Sequence, residues 1–344
     1  MGLMSGRRPI IRVTVDGQPV GAGFYSRLIS ARVRDEEGQV VDTCELVFDD
    51  APPHIELPRL GAEIRISLGY EDTIVVERGR FRVDSTPLRG SVQAGETLSV
   101  HAKSADMRKD MKGEGRKAYK NQTLRQIVEV EAAKMGLQAV VDPELGAIQF
   151  PWLLRWDQSR MDFITRLADE VGGIVKPAGG RLIVQKQGSG LSASGKPLAP
   201  IIIHKDECSE WEINPDGRMQ YGTVIATWID PASGKSRREK LETGLSGPEL
   251  VLREPFETQA RAKAAARAEK ERRNRNTANG SFTVMGRPEA QAGAPVTAIG
   301  FRDGISGEWR ATVVEDVFES GDDGGYDTII SVKPPNAGKA GKDG

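Results

Sequence analysis

The stretch from Trp156 to Gly173, WDQSRMDFITRLADEVGG, decides how the middle of this 344-residue chain folds. Phe163, Ile164, Leu167, Ala168 and Val171 recur on one helical stripe, while Arg160, Asp162, Arg166, Asp169 and Glu170 mostly point elsewhere. Ser159 stands three residues before Asp162, the spacing of a capping box, and Gly172 supplies the left-handed residue that ends a helix. The four acids of the stretch therefore read as solvated partners of arginines on a packing helix, not as a reactive carboxylate pair.

Working outward, NQTLRQIVEVEAAKMGL (121–137) repeats the design. Thr123 and Gln126 form a second capping box, Leu124, Ile127, Val128 and Met135 lie along one stripe, and Gly136 is the stop. Between the two helices VVDPELGAIQFPWLLRW (140–156) reads as extended and apolar, and GGIVKPAGGRLIVQKQ (172–187) reads as two short strands around the turn PAGG. Residues 105–187 are thus predicted to form a two-helix α+β module. GSGLSASGKPLAP (188–200) is too polar to pack and reads as a linker or long loop.

The flanks carry the period of strands. From Ile10 to about Lys103, IIRVTV, LISARVRDEEGQVVDTCELVF, AEIRISLGY, ERGRFRVDSTPL and ETLSVHAK alternate with turn residues. From Ile201 the pattern resumes in IIIHKDECSEWEI, YGTVIATWID, REKLE, GSFTVMG, APVTAIGF, EWRATVVEDVFES and YDTIISVK, interrupted by one helix from Thr258 to about Arg273. The fold class expected is mainly β with an α+β insert: β-barrel domains over 1–104 and 201–334 flank the module, and residues 335–344 form a disordered tail.

Composition narrows the function classes. A formal net charge of −1 sets no global field toward nucleic acid or anionic membrane, so any such contact has to be a local patch. Only Cys44 and Cys208 are present, which fits a reducing compartment better than a disulfide framework; Cys44 alternates in phase with Leu46 and Phe48 and reads as a buried strand residue. No stretch approaches the roughly 20 apolar residues of a spanning helix, and the amino terminus lacks the apolar core of a secretory signal, so no membrane anchor is expected.

Motifs for catalysis are missing. Gly190, Gly195 and Lys196 imitate a phosphate loop, but Pro197 stands where the magnesium-binding hydroxyl belongs, and no helix follows; Gly234, Lys235 and Ser236 form a weaker echo between strands. His54, His101 and His204 have no metal-ligand spacing, and neither a nucleophile elbow nor a dinucleotide turn is present. No enzyme activity, cofactor or metal is expected. The helix TQARAKAAARAEKERRNR offers Arg261, Lys263, Arg267, Lys270, Arg272 and Arg273 as a candidate basic surface that could track a phosphate backbone. Its alanine face and its lack of interleaved aromatics favour a solvated helix laid shallowly across a sheet.

The order of these pieces resembles the late control gene D family of phage tail proteins over nearly the whole chain. GRFRVD in the first β domain, the two capped helices, and the ending EWRATVVEDVFESGDDGGYDTIISV carry the resemblance. The segment LRWDQSRMDFITRLA looks like the family's Q-x-x-E-S-D-x-x-F-L-x-R-L-A stretch, with Asp157, Ser159, Phe163, Arg166, Leu167 and Ala168 following the pattern and the E-S-D triplet altered to Gln158, Ser159 and Arg160. The resemblance implies a baseplate hub of a contractile tail, similar to the hub portion of valine-glycine-repeat (VgrG) spike proteins of type VI secretion. Such a hub is a homotrimer that joins a hexameric tail tube to a trimeric tail spike, contacts other baseplate proteins, and lines a channel through which DNA passes. Its place would be the virion tail baseplate, after assembly in the bacterial host cytoplasm. A nucleic-acid-binding late regulator and a hub carrying cell-wall hydrolase activity are the rival readings.

Overall fold

The structure is a computed structural model and describes residues 7–38, 41–93, 95–104, 115–178, 180–192, 195–215, 220–321 and 324–335. The first β region holds β1 (Pro9–Val15), β2 (Gln18–Pro19), β3 (Leu28–Glu36) and β4 (Thr43–Asp49). It continues with β5 (Glu63–Tyr70), β6 (Val75–Ser85), β7 (Leu88–Ser91) and β8 (Gly95–Ser104). A short helix, α1 (Ala22–Arg27), lies between β2 and β3 in a region that reads from sequence as almost wholly β; Phe24 and Tyr25 pack from it onto the core of this region.

The module comprises β9 (Lys117–Thr123), α2 (Leu124–Lys134), β10 (Gln138–Val141), α3 (Pro143–Gly146), β11 (Gln149–Arg155), α4 (Arg160–Glu170), β12 (Gly173–Ala178) and β13 (Arg181–Lys186). Both expected helices are present, and their predicted stripes are the buried faces. Thr123 and Gln126 close a full capping box on α2; on α4 the serine half is formed, with Ser159 accepting from the Asp162 amide. The segment read as extended between them is not so throughout. Asp142 accepts from the amides of Glu144 and Leu145 and Pro143 sits in the first turn, which makes the one-turn helix α3.

The second β region holds β14 (Ile201–His204), β15 (Cys208–Pro215), β16 (Thr223–Ile229), β17 (Ser236–Glu242) and β18 (Glu249–Val251). After α5 (Gln259–Arg275) come β19 (Ala278–Met285), β20 (Pro295–Ile299), β21 (Gly307–Glu319) and β22 (Tyr326–Lys333). A 3-10 turn, Lys205–Glu207, divides what the sequence offered as one strand into β14 and β15. The loop 188–200 is less detached than its polarity predicted: Leu191 bridges Pro197, and Leu198 packs against the core of the second β region. The expected disordered tail, apart from Pro335, falls outside the described residues.

The chain is mainly β, as its sequence predicts, but the two β regions share one sheet. The strand path runs β15-β19-β22-β21-β3-β4-β8-β6-β5-β1-β2, with β7, β14 and β20 attached beside it. It crosses between regions where β21 pairs antiparallel with β3, from Val313 opposite Glu36 to Glu319 opposite Ser30. Among the described residues three smaller sheets accompany it: β10-β13-β12 and β11-β9 in the module, and β17-β16-β18 under α5.

Candidate functional site

Asp316 lies on β21 between the inward residues Val314 and Phe318, where strand alternation calls for an apolar side chain. It is fully buried, and its partners come from both β regions. The Arg78 guanidinium of β6 donates from Nε to Asp316 Oδ2 at 2.5 Å and from Nη1 to the Pro288 carbonyl at 2.7 Å. Tyr326 and Thr328 of β22 donate their hydroxyls to Oδ1 at 2.8 and 2.9 Å. Burial pushes the Asp316 carboxyl up against the pull of Arg78, and burial together with that carboxylate pushes the Tyr326 phenol up, so Tyr326 stays a donor.

A second buried lock gathers three parts of the fold. Glu37, just beyond β3, accepts from Arg310 Nη1 of β21 at 2.6 Å and from the Gly188 amide after β13 at 3.2 Å. Arg275 at the end of α5 donates to Gln187 Oε1 at 2.8 Å; burial and the Arg310 charge depress its guanidinium to about 10. A third lock pins the module to the first β region. Lys176 Nζ of β12 donates to Asp35 Oδ1 at 2.9 Å, Asp42 Oδ1 at 3.1 Å and the Glu36 carbonyl at 3.2 Å. Burial raises Asp42 to about 6, with Lys176 pulling the other way and Asp35 adding to the rise. A cleft of about 250 Å³ opens here, lined by Asp35, Asp42, Arg78, Lys176 and Gln185. Within it Lys176, Asp35 and Asp42 are engaged with one another, while Arg78 is held by Asp316 and the Pro288 carbonyl from outside the lining.

The family-pattern residues build a helix and its entry. Asp157 holds a left-handed φ of 45° and accepts three hydrogen bonds from Arg116, while Ser159 caps α4. Phe163 is buried and stacks on Tyr119 with centroids 5.7 Å apart, Arg166 lies over the Phe163 ring at 5.6 Å, and Leu167 and Ala168 are fully buried. Beneath them Glu131 accepts from the Tyr119 hydroxyl and from Arg160 Nη1, and Arg155 stands 3.7 Å away. Glu131 occupies the apolar stripe of α2 and Asp316 the apolar face of β21. An acid in an apolar period was the signal that could have found both.

The candidate basic surface divides. Arg261 is no surface residue: its side chain is 6% exposed, it pairs with Glu170 and Glu257, and it lies 4.5 Å above the Phe150 ring. Arg267 pairs with Glu144 and Glu271, Arg272 with Asp169 and Glu269, and Arg273 with Glu269. Lys263 is exposed and Lys270 half-buried. The helix lies across β16 and β17 as expected, with Ala262 and Ala266 packed on Val224 and Ala226, but it is not merely solvated. Its other flank meets α4, where the acids of the module neutralise its arginines. Cys44 is buried in β4 as its phase predicts, Cys208 is a free half-buried thiol, and His54, His101 and His204 do not converge. Among the described residues no group of three or more His, Cys, Asp or Glu is placed to hold a metal ion.

No protein-family model matches the chain. Over 254 residues, 74% of its length, the chain is 29% identical to the probable baseplate hub protein of Escherichia phage 186, and it spans 62% of that relative. Among solved structures it resembles the 43 kDa tail protein of prophage MuSo2 from Shewanella oneidensis, with a TM-score of 0.68 and 16% identity over 96% of this chain and 99% of that one. A component of the type VI secretion system of E. coli is similar with a TM-score of 0.56 and 14% identity over 96% of this chain and 79% of that one. The resemblance to phage tail hubs read from the sequence holds in both sequence and fold.

Proposed function

We propose that the chain is a structural baseplate hub of a contractile phage tail or a related injection device. In this reading it acts as a homotrimer whose β regions line a channel, joins the hexameric tail tube to the trimeric tail spike, and turns its α+β module outward to other baseplate proteins. The 29% identity to a phage hub protein over 254 residues carries the reading. A continuous sheet closed by buried ionic locks is what a load-transferring part requires, since each lock fixes the relative place of two elements without a mobile hinge. DNA passage through the channel belongs to the same proposal, as do residence in the virion baseplate and assembly in the host cytoplasm. No helix among the described residues is long and apolar enough to cross a membrane.

The nucleic-acid-binding reading loses its support, because the arginines of α5 are spent on acids of α4, α3 and α5 itself. Light scattering on the purified protein, alone and with its spike protein, tests the hub. A trimer, or a monomer that becomes three-to-three with the spike, is expected; a monomer indifferent to spike and tube proteins overturns the reading. Interfaces of an obligate hub of this kind bury more than about 2,000 Å².

A further inference from the structure

The β9-β11 ribbon of the module presents one face to the core and one to solvent. Inward go Tyr119, Phe150, Leu153 and Arg155, all buried. Outward the register pairs Trp152 with Lys120 and Leu154 with Ala118, and one rung further Arg116 lies 3.9 Å above the Trp156 ring. Trp152 and Trp156 are 57% and 54% exposed, against 1% for Trp309 in the second core. At about 3.3 Å per extended residue the two tryptophan backbone positions stand about 13 Å apart, a short amphipathic ladder with a cation at each end.

Two features make this face a receptor and not a bland surface. The ribbon pairs two strands: among the described residues no third strand and no further backbone–backbone ladder reaches β9 or β11, and the paired rungs run unbroken from Lys117 opposite Arg155 to Lys120 opposite Trp152, short of the Asn121/Pro151 irregularity. The ladder is also filled asymmetrically. The Trp156 rung already holds a carboxylate, since Asp157 takes Arg116 through Nε and Nη2 at 3.0 and 2.8 Å. The equivalent Lys120 rung beside Trp152 has no carboxylate within ion-pair distance among the described residues. Such a rung is complementary to an acid, and its Ala118/Leu154 neighbour is complementary to an apolar side chain.

We infer that the open edge of β9 accepts an extended segment of a partner protein by strand addition, with a carboxylate opposite Lys120 and an apolar side chain two positions away opposite Ala118. Main-chain bonds supply the affinity of such an addition and the alternate side chains supply its selectivity. Single-stranded nucleic acid is the other ligand that basic-aromatic faces take. It fits less well here, because Arg116 is already neutralised by Asp157 and the central rung is apolar. The inference extends the proposed hub, whose module faces other tail proteins, but its test needs neither trimer nor spike.

The test is fluorescence anisotropy with a labelled, capped heptapeptide bearing glutamate at position three, valine at five and threonine elsewhere, titrated with the full chain. Binding is expected, weakened about tenfold by Trp152→Ala and by Lys120→Glu. The lysine-for-glutamate peptide should bind Lys120→Glu better than the unaltered chain. Both substitutions are at exposed positions, and unchanged far-ultraviolet circular dichroism checks the fold. Three results overturn the inference: no binding at millimolar peptide, equal binding of the two peptides to the unaltered chain, or tighter binding of a ten-nucleotide oligothymidine that Trp152→Ala abolishes. Failure here with an intact trimer would leave the hub standing, whereas peptide binding by a persistent monomer would separate the two claims the other way.

Discussion

Ser159 is the residue that starts α4, and its value can be stated. Its hydroxyl satisfies one of the amides that a helix start leaves without an intrahelical partner, so Ser159→Ala should lower stability by about 1 kcal/mol, read as a shift of the denaturation midpoint with unchanged slope. Asp42 predicts a pH effect of definite sign. Its carboxyl titrates at about 6 in the folded chain, because burial disfavours the charge and Asp35 adds to the rise against the pull of Lys176. An unfolded Asp titrates at about 3.9, so between these values the folded chain binds the extra proton, and stability from this group falls as pH rises through about 6. Asp42→Asn keeps an oxygen for the Glu36 amide and carries no charge. The variant should be more stable than the unaltered chain at pH 8, by at most about 3 kcal/mol, with the gap closing toward pH 4. Urea denaturation at the two pH values measures it, and a gap that widens on acidification would refute the assignment.

Elements show why some of the fold could be read and some could not. The helices α2 and α4 were legible because cap, stripe and stop all lie within a dozen residues. The one-turn α1 and α3 offer no stripe to count, although Asp142 and Pro143 did spell a helix start. Sheet partnership is set by register between distant segments: β3 meets β21 across most of the chain, and neither sequence names the other. The same holds for the Trp152/Lys120 ladder, whose residues are separated in sequence and adjacent only once β9 and β11 pair. One glycine marks such a hidden partnership. A Cβ on Gly280 would stand 2.1 Å from the Glu212 carbonyl oxygen and 2.5 Å from Ile213 Cδ1, in the seam between β19 and β15. Backbone at that distance cannot rotate away. Gly280→Ala should therefore push the edge strand β15 off, costing about 1–3 kcal/mol and raising hydrogen exchange along Cys208–Pro215 while β4 and β5 stay protected.

At the scale of the whole molecule the question is whether two β regions joined through one strand pair behave as one body. The β3-β21 ladder alone would make a long, narrow joint. The buried locks change that, because Arg78 reaches from β6 to Asp316 on β21, Tyr70 donates its hydroxyl to the Gly286 carbonyl at 3.1 Å, and Tyr326 packs with Tyr70 in the first core. A charge buried with its partner is worth little net, but one buried alone is costly. Asp316→Ala leaves the Arg78 guanidinium, whose side chain is 4% exposed, without its carboxylate and frees the Tyr326 and Thr328 hydroxyls. The loss should be about 3–5 kcal/mol. Its distribution is the sharper prediction: since Arg78 and Asp316 belong to different regions, the slowest-exchanging amides of β4 and of β22 should lose protection together and by the same amount. Native-state hydrogen exchange resolves this strand by strand. If β22 alone lost protection, the regions would unfold as separate units and the sheet would be a hinge, which would count against the load transfer proposed for the chain.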